Sequence, residues 1–340
     1  MKRFGNLYER IISVENLRLA DEKARRGKAH TYGVRLHDRR REANIQALHE
    51  ALRTKTFKTS AYDVFTVYEP KERVIYRLPY YPDRIVHHAI MNVIEPIFVN
   101  TFTHNTYSCV KGRGIEGCAR NVDKIIRRYE GRPLYCLKID IRKFYPSIDH
   151  DVLKRIVRRK IKDNDLLWLL DEIIDSADGL PIGNYLSQYL ANLTFAYFMH
   201  WVNETLHLEC QEYADDFVFY SDDKRRLHDA FREIRRYIED ELHLVVKGNW
   251  QVFPVADSRY DKHGRAIDYV GYRFYRHQKL VRKGIKKNLC RTVSRLRRQS
   301  PELPEREFKQ AVAPWLGWAK HSDSRHLLQT IIPSKYEGIL

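Results

Sequence analysis

Gln211-Glu212-Tyr213-Ala214-Asp215-Asp216-Phe217-Val218-Phe219-Tyr220 decides how this chain is read. Apolar and aromatic residues run into and out of two adjacent carboxylates, the pattern of a tight hairpin with acid at its tip. Neighbouring Asp side chains repel each other and desolvate poorly, so apolar strands carry them only with compensation. A divalent cation supplies that compensation, and oxygen-only ligands suit Mg²⁺. An ordinary Asp-Asp turn also accounts for the tip taken alone, because Asp is common in turns. The rest of the sequence has to choose.

A second strand bears on the choice. Leu134-Tyr135-Cys136-Leu137-Lys138-Ile139-Asp140-Ile141 is a continuous apolar run ending on a carboxylate, followed by Arg142-Lys143-Phe144-Tyr145-Pro146-Ser147-Ile148-Asp149. Burying such a strand is costly unless its Asp is paired or ligates a metal. Three carboxylates from two antiparallel strands, Asp140, Asp215 and Asp216, can hold two Mg²⁺ about 4 Å apart. One ion activates an attacking 3′-hydroxyl and the other steadies a leaving pyrophosphate, which is nucleotidyl transfer.

Composition agrees with a polyanionic partner. The formal net charge is +17 and the pI about 9.6, which implies nucleic acid first and an anionic membrane surface second. A hydrophobic content of 43% supports a globular core. No apolar run approaches the roughly 20 residues that span a bilayer. Met1-Lys2-Arg3-Phe4-Gly5 is followed by no apolar stretch of the kind a secretory signal needs. Cys109, Cys118, Cys136, Cys210 and Cys290 are odd in number and form no C-x-x-C pair. That pattern disfavours a zinc site or a disulfide framework and points to a reducing cytoplasm.

In chain order, helical spacing predicts helices over Asn6–Leu19 and Asp38–Thr54, with Arg25-Arg26-Gly27-Lys28 as a break that is either solvated or touches phosphate. Period-two alternation predicts a hairpin from Tyr62 to Tyr76 whose turn projects Lys71 and Arg73, either solvated or placed to clamp a triphosphate. A helix from Ile85 to Pro96 carries His87 and His88, whose adjacency puts them on different faces and disfavours zinc. Lys111-Gly112-Arg113-Gly114 permits close approach of a phosphate but is weak alone, and a helix follows it to Tyr129. A basic helix runs from His150 to Lys162, and Gly179-Leu180-Pro181-Ile182-Gly183-Asn184 is a turn. Helices over Ser187–Trp201 and Arg225–Leu242 flank the acidic hairpin. Leu244–Lys247 and Trp250–Phe253 read as a strand pair, and Ile267–Phe274 as strand, turn and strand. Arg276–Arg298 holds many Lys and Arg and no acid, so it reads as a nucleic-acid backbone contact and not merely a solvated helix. Phe308–Leu328, with Trp315 and Trp318, reads as one or two helices.

Taken together the motifs resemble a known family. Tyr213-Ala214-Asp215-Asp216 is similar to the Y-x-D-D signature of reverse transcriptases. Asp140 with Phe144-Tyr145 and Ser147-Ile148-Asp149-His150 resembles their first catalytic motif. Gly179-Leu180-Pro181-Ile182-Gly183, the helix after Asp216 and Tyr269-Val270-Gly271-Tyr272 match further motifs in order, so the resemblance covers nearly the whole chain. Within the family, Ile182-Gly183-Asn184-Tyr185-Leu186-Ser187-Gln188 is similar to the I-G-x-x-x-S-Q pattern of diversity-generating retroelements, where most reverse transcriptases have Q-G. Tyr68–Arg73, Asn249-Trp250-Gln251-Val252 and a short thumb with Trp318 fit the same group, with no maturase, endonuclease or RNase H region expected after it.

The resemblance implies an α+β right-hand polymerase fold: fingers with an N-terminal helical extension over 1–135, palm over 136–275 and a basic helical thumb over 276–340. It implies an RNA-directed DNA polymerase copying a template RNA into adenine-mutagenised cDNA. Asp140, Asp215 and Asp216, with the carbonyl of Ile141, would hold two Mg²⁺, with Mn²⁺ as a substitute. Tyr145 would exclude a 2′-hydroxyl. Arg73, Lys71 and the amides near Lys143 and Phe144 would grip the triphosphate, with Ile182 and Gly183 beside the nucleotide. Ile182 cannot make the polar contact of a glutamine, which lowers discrimination by a few kcal/mol at most, although an isoleucine there could simply pack. Lys247 would give a proton to pyrophosphate. Tyr272 would hold the primer end, and Arg282, Lys283, Lys286 and Lys287 would follow the RNA–DNA heteroduplex by shape and phosphates. Expected partners are template RNA, dNTPs and a small helical accessory protein encoded nearby, with no membrane, and the expected setting is cytoplasmic, the protein being bacterial, archaeal or phage-encoded. The competing readings are a group II intron-like or antiviral reverse transcriptase, and a non-catalytic nucleic-acid-binding relic. The intact carboxylate set argues against the relic.

Overall fold

A computed structural model of the chain describes residues 2–68, 72–300 and 302–339. Four helices come first: α1 (Tyr8–Ile12), α2 (Val14–Ala24), α3 (Tyr32–Asp38) and α4 (Arg41–Arg53). Ser13 splits the single helix expected over Asn6–Leu19: it is extended (ψ 141°), and its hydroxyl accepts from Asn16 N at 3.2 Å to start α2. The hairpin β1 (Asp63–Val67) and β2 (Arg73–Arg77) follows, then α5 (Ile85–Val99), α6 (Gly114–Arg128) and β3 (Tyr135–Asp140). Next come α7 (His150–Arg158), α8 (Asn164–Ile174), α9 (Tyr185–Glu204), the hairpin β4 (Glu209–Tyr213) and β5 (Asp216–Ser221), and α10 (Lys224–Asp240). The chain finishes with β6 (Gln251–Pro254), β7 (Ile267–Tyr269), β8 (Tyr272–Phe274), β9 (Lys279–Val281), α11 (Lys283–Gln299), α12 (Glu305–Lys320) and α13 (Arg325–Ile331). Pairs β1–β2, β3–β6, β4–β5, β7–β8 and β8–β9 are all antiparallel. The α+β class expected from the sequence is the one observed.

The elements divide between two compact units. One comprises Met1–Cys109, Asp140–His207 and Arg232–Gly248; the other comprises Val110–Ile139, Leu208–Phe231 and Asn249–Leu340. In the first unit, α9 is apolar around most of its circumference and therefore buried, with Leu190, Leu193, Phe195 and Phe198 almost fully enclosed. Fully buried Asp21 ties the N-terminal helices together. It accepts from Arg25 at 2.8 Å, from Arg41 at 2.6 Å and from the Tyr80 hydroxyl, with His37 Nε2 at 3.4 Å. Asp163 caps α8 through Leu166 N and also takes Leu7 N at 2.6 Å and Tyr8 N at 3.0 Å, so one carboxylate joins α1 to α8.

In the second unit the central sheet runs β4-β5-β3-β6 and a smaller one β7-β8-β9. Phe217, Val218, Phe219 and Tyr220 are all buried, which is why β5 reads as an unbroken apolar run and not an alternating one. Trp250 stacks on Phe231 at 3.8 Å. The expected pairing of Leu244–Lys247 with Trp250–Phe253 is not what forms. Val246 bridges to Ile141, whereas Gln251–Pro254 pairs with Tyr135–Lys138. Each segment thus finds hydrogen-bonding partners within its own unit, which a short isolated hairpin lacks. Helices α3 and α8 and strand β9 were not expected.

Candidate active site

The acidic tip has the expected geometry. Tyr213 pairs with Asp216, leaving Ala214-Asp215 as a two-residue loop. Ala214 adopts φ 56°, the left-handed conformation that such hairpin turns demand and that alanine accepts at a cost. Buried Phe217 and Phe219 and the pairing of Glu212 with Phe217 hold the tip, and Asp215 and Asp216 are themselves half-buried. Asp216 is held from two sides within its unit. Lys138 Nζ lies 3.2 Å from its Oδ2, and the Tyr269 hydroxyl donates to its backbone carbonyl at 3.1 Å. Period-two alternation puts Lys138 on the same face of β3 as Asp140, although a lysine in an apolar strand carries no signal of its own.

Asp140 ends β3. Its carbonyl accepts from Lys247 N at 2.8 Å, Arg142 N donates to Val245 O at 2.8 Å, and the Lys247 ammonium lies on the Asp140 carboxylate. Lys247 therefore reaches a predicted catalytic carboxylate by direct contact. Ile141 is fully buried between these two hydrogen bonds. Within their own units, the Asp140 carboxylate faces the Lys247 ammonium and the Asp216 carboxylate faces that of Lys138, and carboxylate oxygens of this kind suit a hard divalent cation. Among the described residues, no three His, Cys, Asp or Glu side chains are gathered into a metal-holding group.

The residues expected around a nucleotide fall into two backbone-locked segments of the first unit. Tyr145 opens a short turn, and its carbonyl accepts from Leu180 N at 2.8 Å. Gly179 (φ 60°) is obligatory there, since a Cβ would stand 2.4 Å from that same carbonyl oxygen. Phe144 is buried and stacks on Phe195 at 4.7 Å, so its side chain anchors the turn. Lys143 is exposed at φ 46°. In the second segment the Ile182 carbonyl accepts from Tyr76 N at 2.8 Å, fastening the 179–184 turn to β2. Gly183 (φ 128°) lets the backbones meet, because a Cβ would lie 2.4 Å from Tyr76 O. Arg73 begins β2, exposed, four residues from Arg77, while Lys71 lies outside the described residues. Arg73, Ile182 and Gly183 are thus brought onto one small framework.

The predicted primer and duplex residues belong to the second unit. Tyr272 is buried against Trp318, with ring centroids 5.2 Å apart. Val270 and Gly271 form a tight loop with φ 39° and 85°, and the Trp318 ring occupies the space that a Cβ on Gly271 would need. Arg282 precedes α11 and pairs with Asp268 at 2.6 Å. Lys283, Lys286 and Lys287 are exposed along the first turns of that helix. The histidines of α5 have structural settings. Burial pushes His87 down to about 3, with His88 and Arg84 adding to the effect, and His88 stacks on Tyr185 at 4.3 Å. No helix among the described residues is long and apolar enough to cross a membrane.

Comparison with known proteins gives this geometry a family. Protein YkfC of Escherichia coli (strain K12) is 26% identical over 206 residues, covering 54% of each chain. Nuclear intron maturase 4, mitochondrial, of Arabidopsis thaliana is 23% identical over 211 residues, 58% of this chain and 25% of that one. The chain thus spans about half the length of YkfC and a quarter of the maturase. Among solved structures, telomerase from Candida albicans in complex with a TWJ fragment of telomeric RNA aligns with 82% of this chain and 57% of its own, at TM-score 0.49 and 11% identity. The family model described as reverse transcriptase (RNA-dependent DNA polymerase) matches residues 69–272, more than half of the chain, from just after β1 to Tyr272. With the Y-x-D-D tip inside that match, the chain belongs to the reverse transcriptase family.

Proposed function

We propose that this protein is an RNA-directed DNA polymerase of the diversity-generating type, copying a template RNA into cDNA with errors concentrated at template adenines. The feature that supports the subtype is Ile182-Gly183, where most reverse transcriptases have Gln-Gly: isoleucine offers no polar contact to an incoming nucleotide, and its backbone carbonyl is fastened to the strand that begins with Arg73. Asp140, Asp215 and Asp216, with the Ile141 carbonyl, are the residues that would hold divalent metal. The metal supplies charge stabilisation at the attacking 3′-oxygen and the leaving pyrophosphate. Tyr145, with its carbonyl fixed by Leu180 N, presents its ring to the sugar and disfavours a 2′-hydroxyl by bulk. Arg73, Lys71 and the backbone around Lys143 and Phe144 orient the triphosphate. Lys247, in contact with Asp140, would move a proton to the leaving group. Arg282, Lys283, Lys286 and Lys287 at the start of α11, with Tyr272, support the primer–template duplex, as fingers over 1–135, palm over 136–275 and thumb over 276–340 would require. A small basic-surface-binding accessory protein and a cytoplasmic setting complete the reading.

A second reading is favoured by the relatives named intron maturases: a group II intron-like reverse transcriptase that copies without adenine bias. Sequencing of cDNA made by the purified protein on a defined RNA separates the two. Misincorporation clustered opposite adenine supports the first reading, and a flat error spectrum supports the second.

A further inference from the structure

The Lys138 ammonium occupies a position that the catalytic scheme leaves unassigned. It is about one-quarter exposed, as is the Asp216 carboxylate that it faces at 3.2 Å. Its second contact is the backbone carbonyl of Asp268, at 2.5 Å, and it lies 5.7 Å from the centroid of the fully buried Tyr269 ring. Tyr269 in turn donates to the Asp216 carbonyl. One lysine therefore pins β5 of the central sheet to β7 of the small sheet at the catalytic carboxylate itself. The connection continues outward: the Asp268 carboxylate pairs with Arg282, whose backbone N donates to Gly271 O at 2.9 Å where α11 begins.

A surface ion pair would contribute almost nothing, because two mobile side chains exchange it for water. Lys138 differs in having two donors engaged on two strands, one to an immobile carbonyl. An ammonium group so fixed does two things to Asp216. It orients the carboxylate, and it competes for Oδ2 with any other cation that approaches.

We propose that Lys138 is a positioning residue that fixes Asp216 and lowers the intrinsic affinity of the carboxylate site for divalent metal, so that tight binding awaits the added negative charge of the nucleotide triphosphate. The proposal rests on the reading of Asp216 as a metal ligand. Removal of one unit charge a few ångströms from a half-solvated site should tighten cation binding about tenfold.

The test is Mn²⁺ binding to the full chain without nucleic acid, read by the free-ion electron paramagnetic resonance signal, in wild type, Lys138→Met, Lys138→Arg and Asp216→Asn. Lys138→Met is expected to bind Mn²⁺ about tenfold more tightly while extending primers more slowly, and Lys138→Arg to return both toward wild type. A merely structural lysine would not tighten metal binding when removed. Should Lys138→Met fail to fold, Lys138→Gln serves in its place. Weaker Mn²⁺ binding in Asp216→Asn alongside unchanged binding in the Lys138 variants overturns the inference and leaves the metal reading standing. Unchanged binding in Asp216→Asn overturns the metal reading, and the inference with it.

Discussion

Gly179→Ala tests how the chain sets the position of Tyr145. A Cβ at residue 179 would stand 2.4 Å from Tyr145 O, 2.6 Å from Pro146 O and 2.7 Å from Pro146 C, all backbone atoms, where ordinary contact begins at 3.4 Å. The Tyr145–Pro146 segment must therefore retreat by about 1 Å, a distance that decides whether a bulky ring meets a 2′-hydroxyl. Alanine at φ 60° costs roughly 1 kcal/mol, and the weakened bond from Leu180 N to Tyr145 O costs up to about 1 kcal/mol more. A loss of about 2 kcal/mol corresponds to a melting temperature lower by roughly 4–8 °C for a unit of this size. The matching functional expectation is that Gly179→Ala admits ribonucleotides about tenfold more readily, in the same direction as Tyr145→Ala but by less. Single-nucleotide extension with dNTP and rNTP gives the ratio, and thermal unfolding gives the stability. A variant with unchanged melting and unchanged sugar discrimination would refute the claim that residue 179 positions the ring.

Two further perturbations probe the two units separately. Burial alone would push the Asp21 carboxyl up, but the nearby His37 ring and the hydrogen bonds from Tyr80, Arg25 and Arg41 outweigh it and hold the group well below the usual carboxylate range. Asp21→Asn should destabilise by about 3 kcal/mol at pH 7, since it removes the buried charge on which the partly exposed Arg25 and Arg41 and the buried Tyr80 hydroxyl converge. Because the folded value is the lower one, that stabilisation is present above the unfolded value near 3.9 and fades as pH falls below it. The gap between wild type and variant in denaturant melts should therefore narrow below about pH 4. Lys286→Gln with Lys287→Gln should reduce the salt dependence of heteroduplex binding by about one unit of log–log slope per lysine, measured by fluorescence anisotropy. An unchanged slope would remove these lysines from the duplex path.

The acidic tip was legible because everything it needs is local: two acids, flanking apolar residues and a loop short enough that Tyr213 must pair with Asp216. The strand leading to Asp140 was legible for the same reason. Contacts that define the surroundings were not, because they join distant positions. Lys247 meets Asp140 across 107 residues through backbone pairing that no local pattern announces. Gly179 and Gly183 read as turn residues, yet their backbones abut Tyr145 and Tyr76, which only the folded chain brings near. Lys138 was visible in principle, two residues before Asp140 and on its face, but a lysine within an apolar strand attracts notice only once its carboxylate partner is known. Helix α8 was hidden because its apolar run lacks polar alternation. Its start is marked by Asp163, whose second task, holding Leu7 and Tyr8, is long-range.

The most direct measurement is extension of a labelled DNA primer on an RNA template with dNTPs and Mg²⁺, comparing wild type with a folded Asp215→Ala variant. Full-length cDNA from the wild type and none from the variant is the predicted result. Equal extension by both, or none by a well-folded wild type, would contradict the assignment of catalysis to the carboxylates at the Tyr213–Asp216 tip.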